Sequence, residues 1–322
     1  MPPVNRNKPR RGSASESRYS IFEFDREFPD DATCLDYLVR RFYPQGISCP
    51  TCRRVTKHHR VKARPAYSCQ FCGHYEYPMV GTIFEGSATS LRLWFYGIYL
   101  MASTRCGISA KQLERELGVT YKTAWRMFNR IRSLMWQDDE LLDGEVEVDE
   151  TFIGGKAKWR NRGLPLGRGR GGSGKTPVQG MARRPTPARG RKIAAHVVED
   201  DSGRTLAGRV RRRVVPASKV YTDEHRAYRN LGRMGFEHEF VTHGAKVYVS
   251  GVVHTNTVEA FWSHLKRGIS GVYHGVGRAY LQNYVDEYTF RYNAARDPVT
   301  GPRGVFDAVL SRVVKASPET AS

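Results

Sequence analysis

The chain lacks any apolar run approaching the ~20 residues needed to span a bilayer, so a membrane-embedded protein is not expected. Residues 1–18 are basic and polar without an apolar signal core, and the expected compartment is the cytoplasm. Acidic residues are scarce: 32 Asp+Glu stand against 52 Lys+Arg, a net charge of +20. Such a surface calls for a polyanion, nucleic acid first, and argues against an acid-rich chain that repels one. Cysteine is sparse too. Of six, four fall in two C-x-x-C pairs, which excludes the dispersed disulfide framework of a small secreted domain and favours a metal in a reducing compartment. Cys34 and Cys106 are left over and read as small buried hydrophobes.

What is present is enough to fold. With 322 residues, 40% of them apolar and 11% aromatic, the chain has room for two or three domains. Residues 1–19 mix Pro, Arg, Asn and Ser without periodicity and read as a disordered basic arm. Cys34, Leu35, Leu38 and Phe42 then recur at helical spacing until Pro44 and Gly46 stop the helix. Next, Cys49-Pro-Thr-Cys52 and Cys69-Gln-Phe-Cys72-Gly73 flank basic, strand-forming residues. Zinc takes four ligands at tetrahedral corners, and two facing turns supply them, so residues 20–86 read as a zinc ribbon with a preceding helix. Four thiolates leave no open position, which makes this Zn2+ structural. His74 is a competing ligand in principle, but the second pair already completes the set.

Residues 87–136 read as a helix-turn-helix region. Leu91 to Met101 is apolar enough for a buried helix. Ser109 to Leu117 suits a short helix, Gly118-Val119 a tight turn, and Thr120 the cap of a second helix reaching about Met135. That second helix carries Tyr121, Lys122, Thr123, Arg126 and Arg130, donors suited to base edges and phosphates in a major groove. A plain helical hairpin has the same periodicity; the neighbouring ribbon and the charge favour DNA.

Residues 137–144 form an acidic linker, and the pattern then changes to strands over Glu145–Ile153, Arg191 to Val198 and Lys219–Thr222, with a helix from Arg204 to Val214. Residues 144–300 therefore read as an α/β domain. A basic Gly/Arg/Pro insertion, 154–191, interrupts it, with a strand near Pro177 to Ala182 inside. Gly169 to Thr176 fits the P-loop pattern, but neither the preceding strand nor the following helix that would aim amides at phosphate is present, so nucleotide binding is not expected. Residues 268–277 read as a glycine-rich turn whose Tyr273 and His274 could approach DNA. In the helix from Ala279 to Arg296, Tyr280, Tyr284, Tyr288 and Tyr292 form a stripe best suited to core packing. Residues 301–322 read as a C-terminal helix and tail.

The carboxylates bear on chemistry. Two divalent cations ~4 Å apart can drive phosphodiester cleavage and strand transfer, and hard Mg2+ needs only a few acidic oxygens because phosphate and water complete its shell. Asp149 lies near the end of an alternating strand, opposite Val146 and Val148. Asp223 directly follows another strand. Glu259 lies on a helix whose Val258, Phe261, Trp262 and Leu265 form one stripe, with Glu259, Ser263 and Lys266 on a neighbouring face. Singly, each is an ordinary surface charge, and Glu147, Glu150 and Glu224 are equally acidic neighbours.

The order of zinc ribbon, Val-Asp149-Glu-Thr-Phe-Ile-Gly-Gly-Lys, Tyr-Thr-Asp223-Glu-His-Arg-Ala-Tyr and His-Thr-Asn-Thr-Val-Glu259-Ala-Phe-Trp-Ser-His-Leu-Lys-Arg-Gly resembles bacterial insertion-sequence transposases of the ISXO2-like type. The resemblance covers roughly residues 25–300. It implies a multidomain α/β chain: an N-terminal zinc ribbon and helix-turn-helix followed by a ribonuclease-H-like α/β catalytic domain. It implies Asp149 and Asp223 as Mg2+ ligands, Glu259 as the third acid, and Lys266, with Arg267 beside it, on the DNA near the reacting phosphate. The implied cofactors are one structural Zn2+ and two catalytic Mg2+, with Mn2+ an alternative. The implied partners are element ends, target DNA and a second copy of the chain. A DNA-binding regulator without catalysis, or a nuclease that does not join strands, are the competing readings.

Overall fold

A computed structural model describes residues 19–104, 106–154, 175–187, 189–241, 254–295 and 303–315. Residues 1–18 of the expected basic arm, the greater part of the basic insertion and the last seven residues lie outside them, whereas Tyr19, expected in the arm, is buried with its ring stacked on Phe306. The described residues divide into two compact units: 19–103, 113–131 and 303–315 form the first, those within 104–112 and 132–295 the second. Among them no helix is long and apolar enough to cross a membrane.

The first unit begins with α1, Ile21–Glu27, opened by a capping box in which Ser20 and Glu23 satisfy each other's backbone N–H. Helix α2, Asp31–Phe42, starts where Asp30 accepts from the Thr33 amide and buries Cys34, Leu35 and Leu38, as their spacing predicted. A small antiparallel sheet follows, β1 (His58–Val61), β2 (Ala66–Cys69) and β3 (Tyr75–Glu76), with β2 central. The apolar α3, Leu91–Ser103, packs on α2 and on the C-terminal helix Gly304–Ser311. Phe24, Phe28, Phe95, Tyr99 and Phe306 make the aromatic core between them, Phe28 and Phe95 with centroids 5.0 Å apart.

Helices α4, Ala110–Leu117, and α5, Tyr121–Ser133, are joined through Gly118 at φ +62°, a left-handed conformation that glycine adopts without strain. Thr120 accepts from the Thr123 amide and so caps α5. Gly97 on α3 leaves room for Leu117, Met127 and Ile131, which a β-carbon would crowd.

In the second unit five strands form one mixed sheet: β4 (Glu145–Ile153), β5 (Thr176–Arg183), β6 (Lys192–Val197), β7 (Lys219–Thr222) and β8 (Glu237–Phe240), in the order β6-β5-β4-β7-β8. Only β5 runs opposite to the rest. Helix α6, Gly203–Arg213, covers one face, burying Leu206 and Val210 with Val146, Val148, Met181 and Val220. Helices α7, Asn256–Gly271, and α8, Leu281–Ala294, cover the other, where Val258, Phe261, Trp262, Val285 and Tyr288 meet Val178, Ala182 and Ala195.

The structure bears out some of these expectations and corrects others. The strand foreseen inside the basic insertion is β5, buried along its length between β4 and β6, so the sheet claims residues 176–183. The same strand follows Lys175, where a P-loop would need a helix. The expected turn at Gly268 is helical: α7 continues to Gly271, because a β-carbon at 268 would overlap the Tyr288 ring and glycine is what lets α8 approach. Cys106 is exposed rather than buried; its carbonyl accepts from the Tyr288 hydroxyl. Finally, the acidic linker is pinned down. Asp138 pairs with Lys192 at 2.8 Å, Asp139 with Arg213 at 2.9 Å, and Glu140 and Asp143 with Arg183 at 3.2 Å each. The tyrosine stripe behaves as core at 284, 288 and 292, whereas Tyr280 is exposed.

Candidate functional site

The sheet creates a notch. Strand β7 pairs in parallel with β4 only as far as Tyr221 opposite Glu147, so β4 runs on beyond its neighbour. Two residues further along each strand, Asp149 and Asp223 come level at the carboxyl end of the pair, the usual place for a site in an α/β sheet. One oxygen from each of Asp149, Glu150 and Asp223 lies within 4.8 Å of the others. Adjacent strand residues normally face opposite sides; past the end of β7 the longer Glu150 side chain can still converge with Asp149.

Each carboxylate is held. The Trp262 indole N–H donates to Asp149 Oδ2 at 2.9 Å, and Trp262 lies over Gly180, the residue opposite Asp149, where a β-carbon would collide with the ring. The buried Tyr228 hydroxyl donates to Glu150 Oε2 at 3.0 Å. Asp223, 9% exposed, accepts from the His225 amide at 2.9 Å. Burial pushes the Asp149 carboxyl up to about 8, with the Glu150 and Asp223 charges adding to it. Glu150 is raised by burial first and by Asp223 second. Three converging acids, with Asp149 and Glu150 held above the ordinary carboxyl range, are what a divalent cation would answer, and the all-oxygen donor set suits a hard one.

Glu147 is a third acid on β4 with a different task. Fully buried, it accepts from the amides of Thr257 at 2.7 Å and Val258 at 3.3 Å and from the Thr257 hydroxyl at 3.0 Å, placing negative charge at the start of α7. Arg184 at 2.9 Å and His254 at 3.2 Å flank it. This anchor fixes the end of α7 that carries Glu259. Glu259 itself is exposed, accepts from the Thr255 hydroxyl at 2.7 Å, and is not among the three converging acids. Lys266 and Arg267 are exposed further along α7, with Arg267 also donating to the Ser263 carbonyl. Tyr273 packs inward and donates to Glu287.

In the first unit, the sulfurs of Cys49, Cys52, Cys69 and Cys72 lie within 4.8 Å of one another, and His74 is not among them. The two turns are built alike: Arg53 donates to the Cys49 carbonyl and Gly73 to that of Cys69, both with left-handed φ, +55° and +72°. The backbone N–H of Cys52 holds the Cys49 thiol below its ordinary value and that of Cys72 draws Cys69 down to about 6, while burial and the neighbouring Cys49 thiol push Cys52 up to about 11 and Cys72 is also raised, so one sulfur of each turn is the readier thiolate. Amides aimed at sulfur favour the thiolate, so the set fits a tetrahedral zinc.

Along α5, Tyr121 and Lys122 are exposed at its start, and Trp125, which sequence reasoning passed over, is exposed beside them with its ring stacked 6.4 Å from Tyr121. Thr123 bonds to Thr120. Arg126 donates to Ser87 at 3.0 Å, and Arg130 donates to the carbonyls of Ile83 at 2.9 Å and Glu85 at 3.1 Å.

Two known domain families match the chain. Residues 29–75 match the transposase zinc-ribbon domain and residues 141–293 the ISXO2-like transposase domain. The Halobacterium salinarum "Uncharacterized protein in transposable element ISH50" is 31% identical over 284 residues, covering 85% of this chain and 94% of the relative. A Haemophilus influenzae "Uncharacterized transposase-like protein" is 29% identical over 102 residues, 32% of this chain and 81% of the relative.

Proposed function

From the premise that the chain belongs to the ISXO2-like transposase family, we propose that it binds the two ends of an insertion sequence and catalyses cation-dependent strand cleavage and strand transfer at the notch between β4 and β7. The observation that carries this reading is the convergence of Asp149 and Asp223, within the matched region, at the carboxyl end of neighbouring parallel strands. The sheet order, with its second strand antiparallel, supports a ribonuclease-H-like domain.

Asp149 and Asp223 hold the divalent cation, Mg2+ or Mn2+, in this proposal. Bound there, two such cations would activate the attacking oxygen and stabilise the leaving one. Trp262 keeps the Asp149 carboxylate oriented. Glu259 acts from α7 as the third acid, and Lys266 and Arg267, exposed on the same helix, meet DNA phosphates. Zn2+ on the four cysteines holds the ribbon together. On α5, Tyr121 and Lys122 reach the end sequence, with Thr123, Arg126 and Arg130 completing the DNA-facing set. Joining two ends requires two active sites, so the active form on DNA is a homodimer or larger.

A supercoiled plasmid bearing both element ends tests this. Mg2+-dependent breaks ending in 3′ hydroxyls at the element boundary, and joints to a target plasmid, are expected from the wild-type chain and not from Asp223→Asn. End binding without any cutting would instead identify a regulator. Cutting without joints would identify a nuclease.

A further inference from the structure

The family reading supplies three acids, Asp149, Asp223 and Glu259, yet the residue that stands with the two aspartates is Glu150. Its side chain is 6% exposed, one oxygen takes the Tyr228 hydroxyl, and its Oε1 lies 3.9 Å from the His225 imidazole. Among the described residues no lysine or arginine lies within ion-pair distance of Asp149 or Glu150. A buried carboxyl group facing two others, with no lysine or arginine of the described residues beside it, is costly, and its geometry is nevertheless maintained. Tyr228, fully buried, is itself within 3.5 Å of Gln179 Nε2, which donates to the Leu206 carbonyl at 3.0 Å. Gln179 sits opposite Glu150 in the β4–β5 register, so a chain of bonds running to α6 orients this one side chain. Outer partners of that kind are what fix metal-binding carboxylates.

We propose that Glu150 supplies the third carboxylate of the divalent-cation site in the DNA-free chain, and that Glu259 takes no part in holding the cation there. The inference rests on the cation site of the proposed function and adds a ligand that the family motif does not assign. Glu259, exposed on α7, is left to act when DNA is present.

The test is Mn2+ binding to the full-length, zinc-loaded chain without DNA, followed by titration calorimetry and by the thermal shift that Mn2+ produces. Glu150→Gln, like Asp223→Asn, is expected to raise the Mn2+ Kd at least tenfold, while Glu259→Gln is expected to stay within twofold of wild type. With zinc in place and no other divalent cation added, Glu150→Gln melts at or above the wild-type temperature, because the amide still accepts from Tyr228 and one of three crowded carboxyl groups is gone; a purely structural role predicts lower melting. Wild-type Mn2+ affinity in Glu150→Gln, with binding lost in Asp223→Asn, would overturn the assignment of Glu150 alone. If Glu150→Gln melts too low to titrate, Glu150→Asp replaces it: the charge stays, the reach shortens by one methylene, and an unchanged Kd overturns the assignment. A wild-type chain that does not respond to Mn2+, or a response retained by both Asp149→Asn and Asp223→Asn, would remove the cation site itself.

Discussion

The four thiols and the three acids are gathered by opposite means. Cys49 and Cys52, and Cys69 and Cys72, each sit on one tight turn, the first flanked by the antiparallel Ser48–Val55 bridge and the second joining β2 to β3. Asp149 and Asp223 sit on strands separated in sequence by β5, β6 and α6 and are brought level only by the sheet. The thiol set is soft, closed and made locally; the acid set is hard, open and made by the fold. Metal at the first should govern folding, and at the second chemistry.

The comparison can be broken hardest at the ribbon. Zinc bound by four thiolates contributes ~10 kcal/mol or more to small zinc domains. Chelation, or Cys49→Ser, is therefore expected to abolish stoichiometric zinc and open residues 47–76 to protease, with end binding lost and the second unit's melting unchanged. Proteolysis with metal analysis reads this directly. An intact ribbon without zinc would mean that the sheet, not the metal, carries it.

At the acid site the expected effect is on rate. Asp223→Asn should cut strand cleavage by about a thousandfold, ~4 kcal/mol, with end binding and melting temperature near wild type. Comparable loss of binding would make Asp223 a structural residue.

A smaller effect is pH-dependent. Burial and the neighbouring acids push Asp149 up to about 8, so the unfolded chain gives up this proton at lower pH than the folded one. The contribution to stability is therefore fully present below the unfolded value of ~4 and is lost as pH rises through about 8. In the zinc-loaded chain without other divalent cations, melting should fall across that window; with Mn2+ added the fall should shrink, so the difference between the two curves widens with pH. Parallel curves would count against a cation beside Asp149.

The smallest change is Trp262→Phe, which removes one hydrogen bond, ~1 kcal/mol, from Asp149 while filling the space over Gly180. A few-fold rise in Mn2+ Kd at nearly unchanged melting is expected; an unaltered Kd would show that the indole only packs.

The same contrast explains what the sequence disclosed. A C-x-x-C pair is its own evidence, because the turn that presents both sulfurs is encoded within four residues. Strands β4 and β7 were legible to the residue, since alternation and the acids after them are local signals. Strand β5 was only half legible: Pro177 and Gly180 look like loop residues, yet Pro177 sits near the strand's start and Gly180 makes room for Trp262. Strand β8 was not seen, because Glu237–Phe240 is polar and owes its conformation to pairing with β7. At Gly268 the neighbour that requires glycine, Tyr288, lies on another helix. Composition could not choose among Glu147, Asp149 and Glu150. Their separate tasks at the start of α7, under Trp262 and against Tyr228 depend on partners distant in the chain.

The most direct measurement is movement of a marked DNA segment bounded by the sequences that flank this gene, with wild type and Asp223→Asn supplied in parallel. Movement with the wild type and none with Asp223→Asn is expected. Equal movement with both would take Asp223 out of the chemistry, and no movement with either, while end binding persists, would contradict the transposase reading in favour of a DNA-binding regulator.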